Sequence, residues 1–104
     1  MSCGGVLSGC ADQNAAPLAR QACVHVERAL FVEHELASQP SQASKLRSEA
    51  IDQVRAALPL AATAAAEDTT WQALDATLSE SNRVPLEYLL PALSAQCAGV
   101  ARSG

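Results

Sequence analysis

Apolar residues recur along this chain at intervals of three and four, and nowhere do they alternate as a half-buried strand requires. The first stripe is Leu18, Ala22, Val26, Ala29, Leu30 and Ala37. Pro17 lies just ahead of it, where a proline opens a helix without losing a hydrogen bond, so a first helix is predicted over 17–37. Ser38-Gln39-Pro40-Ser41 ends it, because the residue before a proline avoids helical angles. A second helix is predicted from about Ser41, with Leu46, Ala50, Val54, Ala57, Leu58, Ala61 and Ala65 on its apolar face. Lys45, Arg47, Glu49, Asp52 and Arg55 make its outer face. Pro59 falls inside this stripe, where its missing N–H and its ring predict a kink or break in one bent helix.

Asp68-Thr69-Thr70-Trp71-Gln72 reads as the next helix start, with Thr69 three residues ahead of Gln72 in a capping-box arrangement. Trp71, Leu74 and Leu78 then face inward, and Ser81-Asn82-Arg83 makes the following turn. Val84 and Pro85 open a fourth helix on which Leu86, Leu89, Leu90, Leu93, Cys97 and Val100 form the most regular stripe of the chain, interrupted by Pro91. Four helices joined by short turns predict an all-α fold, a small up-down-up-down four-helix bundle with proline-kinked second and fourth helices. The bundle is assigned to residues 17–101, with 102–104 as a disordered tail.

Composition changes this picture in one respect. Of 104 residues, 22 are Ala and only Phe31, Trp71 and Tyr88 are aromatic, so the core is built of small side chains with little surplus stability. Charge removes several functions. The net charge is −4 and no stripe of Lys and Arg is present, which argues against displacing counterions from nucleic acid or from an anionic membrane surface. No apolar stretch approaches the ~20 residues that span a bilayer, so any membrane attachment is expected to be covalent.

A residue for such an attachment is present. Leu7-Ser8-Gly9-Cys10 matches a lipobox, an aliphatic residue and two small ones ahead of the cysteine that takes the lipid. Ala11-Asp12-Gln13-Asn14-Ala15-Ala16 then reads as a polar tether, so that residues 1–16 form a signal remnant and linker. Cys3 would leave with the signal. The nine residues before Cys10 carry no Lys or Arg and only a thin apolar segment, Gly4-Gly5-Val6. A secretion signal has a basic segment and a longer apolar run, so either the chain is expected to start upstream of Met1, or the four-residue match is accidental and the segment is an unprocessed, disordered tail with two incidental thiols.

Cys23 is near the beginning of the first helix and Cys97 near the end of the last, which an up-down-up-down order brings to one level of the bundle. A Cys23–Cys97 disulfide is therefore expected, on the condition that the chain is exported to an oxidising compartment. The alternative is two reduced thiols buried as small apolar residues. There is no Cys-x-x-Cys pair and no haem attachment string. His25 and His34 are nine residues apart on one helix and face opposite ways, so they are not expected to share a metal. No phosphate-binding loop or nucleophile elbow is found, and no catalytic residue, cofactor or metal ligand is assigned.

Six Arg against one Lys, with abundant Ala, is the composition of a protein from a high-GC genome. Together with Leu7-Ser8-Gly9-Cys10, Asn14-Ala15-Ala16-Pro17 and Leu78-Ser79-Glu80-Ser81, it resembles small uncharacterised lipoproteins of high-GC Gram-positive (actinobacterial) bacteria. The resemblance implies an anchored position on the outer face of the cell membrane and carries no activity with it. The expectation is a non-enzymatic helical domain held by a lipid on Cys10, binding a protein or small ligand at the cell envelope. A cytoplasmic structural or oligomerisation module with reduced thiols is the alternative.

Overall fold

A computed structural model of the chain describes the backbone of residues 7–103 and the side chains of residues 15–100. Among the described residues there is no strand: the chain forms α1 (Leu7–Ser38), α2 (Ala43–Glu67), α3 (Gln72–Ser79) and α4 (Leu86–Ser103). Single 3-10 turns at Pro40–Gln42, Thr69–Trp71 and Glu80–Asn82 lie between them. The helices pack as a bundle in which α1 touches α2 and α4, and α3 touches α2 and α4. The expected all-α class holds.

The largest interface joins α1 to α2, and its sequence explains why. Ala15, Ala19, Ala22, Val26 and Ala29 on α1 follow one another at spacings of four and three, and all are fully buried. Ala50, Val54, Ala57, Ala61 and Ala64 repeat the same spacing on α2 and are equally buried. Such a 4-3 pattern is the seam of a coiled coil. With methyl groups facing each other, two helices approach toward the close end of the usual 8–10 Å range. The leucines expected in the stripe, Leu18, Leu30, Leu46 and Leu58, are only half-buried, because the centre of so close a seam has no room for them. Ala37, also expected inside, is exposed.

This seam corrects the predicted start of the first helix. α1 begins ten residues before 17, at Leu7, and Pro17 lies within it. Residues 11–16, read as a tether, are helical, and Ala15 is already in the core. The alanine repeat starts ahead of Pro17, so packing against α2 outweighs the single backbone hydrogen bond that a proline removes. Residues 102–103, read as a tail, are likewise the last turn of α4. α2 and α4 run through Pro59 and Pro91 without a break. Residue 91 has no N–H to offer the carbonyl of Glu87, and residue 59 none for that of Arg55.

The start of the third helix also differs from expectation. Asp68, not Thr69, caps it: with extended backbone (φ −148°, ψ 117°), its Oδ1 accepts a hydrogen bond from the Thr70 N–H at 3.0 Å. The 3-10 turn that follows sets Trp71 over the bundle interior beside Leu74 and Leu78. On α4, Leu86, Leu89, Leu93, Cys97 and Val100 are buried as the stripe predicts.

Candidate functional site

Cys23 and Cys97 form a disulfide between α1 and α4, with their Cα atoms 5.5 Å apart. The distance is that of an ordinary bridge. Both residues are buried, at 5% and 3% exposure, because each lies on the inward stripe of its helix. The bridge closes a loop over a sequence separation of 74 residues, which in the chain-entropy account stabilises the fold by about 4.4 kcal/mol. Arg20, Val24, Glu27 and Val100 surround it in a shallow groove of about 200 Å³. Among the described residues no cysteine is free. Cys3 lies outside the described residues; of Cys10 only the backbone, in the first turn of α1, is described.

A second region has chemistry that the sequence did not announce. Thr70 and Trp71 of the 3-10 turn and Ala73 and Leu74 of α3 face Ala95, Gln96, Gly99 and Val100 of α4 across a groove of about 250 Å³. Two polar atoms of its lining residues are buried without a hydrogen-bond partner, the Trp71 indole Nε1–H and the Gln96 carbonyl Oε1. The orientation of the Gln96 amide follows from its neighbour. The Thr77 hydroxyl donates its proton to the Ala73 carbonyl at 2.9 Å. Its oxygen is then left to accept, and it takes a bond from Gln96 Nε2 at 3.0 Å. Reversing the amide would set two acceptors against each other, so Oε1 is the atom left over. Each orphan of this kind costs about 1–3 kcal/mol in lost hydration.

Trp71 was expected to face inward, and it does, at 9% exposure. Gln96 and Gly99 were not singled out. The available signal was their spacing of three on α4, one turn apart beside the Leu93-Cys97-Val100 stripe, where a polar residue and a residue without a side chain replace apolar ones. A Cβ built on Gly99 meets nothing within 4 Å, so the space beside it is open.

Elsewhere the polar groups are occupied or solvated. His25 Nδ1 and Gln53 Oε1 are 2.8 Å apart across the α1–α2 interface. His34 is exposed, and it does not meet His25. Among the described residues there is no group of three or more His, Cys, Asp or Glu that could hold a metal ion. Glu80 and Arg83 pair across one turn at the surface. Val24 and Phe31, one heptad apart on α1, are exposed at 46% and 63%. No described helix is long and apolar enough to cross a membrane.

No protein-family model matches the chain, and neither a curated protein nor a solved structure is significantly similar to it. Function has to be argued from the residues themselves.

Proposed function

We propose that this protein is a lipid-anchored extracytoplasmic helical domain with a binding or structural role at the cell envelope, attached to the membrane through Cys10. The observation that carries the reading is the Cys23–Cys97 bridge. Disulfides persist in oxidising compartments and are rare where glutathione and thioredoxin keep thiols reduced. A chain with a lipobox at Leu7–Cys10 and a core closed by a disulfide is consistent on both counts with export.

The helical course of residues 11–16 sharpens the geometry this reading requires. Cys10 is five residues from Ala15, the first buried core position described, or roughly 7.5 Å along a helix. A lipid on Cys10 would hold the bundle directly against the membrane surface instead of on a tether. An up-down-up-down order of the helices is consistent with the joined pairs His25–Gln53, Cys23–Cys97 and Thr77–Gln96, each of which links two neighbouring helices of the bundle. Bends at Pro59 and Pro91 would let α2 and α4 curve around the alanine seam.

Mass spectrometry of the membrane fraction is the test. The expected product begins at Cys10 and carries diacylglycerol on its sulfur. An unmodified chain beginning at Met1 and recovered from the cytosol would overturn the proposal. The competing reading, a cytoplasmic module, requires Cys23 and Cys97 to react fully with a thiol reagent after denaturation without reductant.

A further inference from the structure

We propose that the outer face of α1 is a self-association surface, on which a second copy of this chain docks with its own α1 running parallel to the first. Val24 and Phe31 are exposed there at 46% and 63%. The other large apolar side chains described on α1, Leu18, Val26, Leu30, Val32 and Leu36, are buried or half-buried. At about 100° per residue, Val24 and Phe31 lie within about 20° of each other and roughly opposite the alanine seam with α2. They are one heptad apart, the spacing at which two helices can hold a common line of contact. A shallow groove of about 460 Å³ follows this face, bounded also by Val32 and by Gln53 of α2.

Charge decides what covers this face. Glu27 lies about 50° to one side of the Val24–Phe31 line and Arg28 about 50° to the other. Both are exposed, and neither forms an ion pair with another described residue. When two such faces meet in parallel about a two-fold axis along the seam, opposite flanks come together. Glu27 then stands across from Arg28 of the second copy, and Arg28 across from its Glu27, each ~1.5 Å out of level. Phe31 meets Phe31 and Val24 meets Val24. One heptad on, His34 and Glu35 repeat the arrangement. The antiparallel register that keeps both apolar residues in the seam joins like flanks instead, setting Glu27 against Glu27 and Arg28 against Arg28. The charges therefore select a second copy, and select its direction. Parallel helices also put the first turns of both α1 helices, and with them both Cys10 residues, at one end of the dimer. The inference stands on the α1 face and not on the anchor at Cys10, which the mass spectrometry decides separately.

Sedimentation equilibrium of the full chain tests this, with the Cys23–Cys97 bridge intact and the Cys3 and Cys10 thiols alkylated so that no intermolecular disulfide forms. The face spans only a few turns of one helix, so the expected result is reversible dimerisation with a Kd on the order of 10 μM. Phe31→Ala should weaken the dimer at least about tenfold, because an exposed aromatic anchor is lost from both sides at once. Alanine is the better helix former, so circular dichroism is expected to show the fold retained. Glu27→Arg should weaken association by about tenfold as well, by setting like charge against Arg28 of the second copy. Glu27→Arg and Arg28→Glu combined in one chain should restore the Kd to within about threefold, since the flanks again carry opposite charge. In a mixture of isotope-labelled and unlabelled chains, filtered NOEs should join the Phe31 rings of the two copies. A single-chain mass at every concentration up to ~1 mM would overturn the proposal, whatever other partner covers the face. So would a dimer undiminished by Phe31→Ala, failure of the combined reversal to restore association, or NOEs from Phe31 to Val24 of the second copy.

Discussion

The two sides of the bundle solve the packing problem in opposite ways. Between α1 and α2 the buried side chains among the described residues are alanines with one valine in each helix, Val26 and Val54, and none of their buried polar atoms is left without a partner. Between α3 and α4 they are Trp71, Leu74, Leu78, Leu86, Leu89 and Leu93, and both orphaned polar atoms of the described core are here. Alanine loses no side-chain entropy on burial but also removes little apolar surface from water. Its seam gains through close backbone approach along a long interface. The short α3, with eight residues, has too few positions for such a seam and relies on large side chains, which leave gaps where they do not interlock. The disulfide joins α1 of the first side to α4 of the second.

The largest effect should come from cutting that join. Replacing Cys23 and Cys97 together by alanine is expected to cost about 4.4 kcal/mol in urea unfolding, with the α1–α2 pair keeping its helicity longest. Retention of full stability would show that the seam alone holds the two sides. Next is an overpacking test of the close seam. Ala22→Leu adds three carbons at a fully buried position of the alanine seam, and a loss of about 1–3 kcal/mol is expected from the denaturation midpoint. If the loss is absent, the α1–α2 interface is looser than its alanine repeat implies.

On the other side, added volume should have the opposite sign. Gly99→Ala places a methyl group in open space within α4 and is expected to stabilise by about 0.5–1 kcal/mol, read as a rise in Tm. A fall would mean that the groove beside α4 is closed in solution. The smallest effect belongs to the surface. Arg83→Ala removes a solvent-exposed pair with Glu80 next to the turn before α4 and should change stability by no more than about 0.5 kcal/mol. A larger loss would show that the turn, and not only the core, orders the α3–α4 side.

Much of this division was legible in the residues. The stripe of α4 and the inward set Trp71, Leu74 and Leu78 emerged at the spacing the sequence carries, because large apolar residues in a helical period have only one face to bury. The Cys23–Cys97 pair was expected from a predicted helix order together with export, and the structure brings the two residues to bridging distance. The start of α1 was not legible: Pro17 is a strong local signal for a helix beginning, and the burial of Ala15 ahead of it is a tertiary contact that no local pattern announces. Asp68 likewise displaced Thr69 as the cap because it is the residue whose backbone is extended there. The α3–α4 groove was not legible, since an unpaired atom is defined by what fails to approach it.

Taken by itself, the sequence determined the all-helical class, the faces that turn inward and the two cysteines that could meet, because helical periodicity is a local property of side-chain order. Tertiary structure decided which apolar residues occupy the centre of each interface and which sit at its edge, placing alanines inside and leucines beside them in the α1–α2 seam and leucines inside between α3 and α4. It also decided where polar atoms go unanswered. The physical reason is the same in both cases: how closely two helices approach depends on every side chain between them, and no single stretch of chain contains that information.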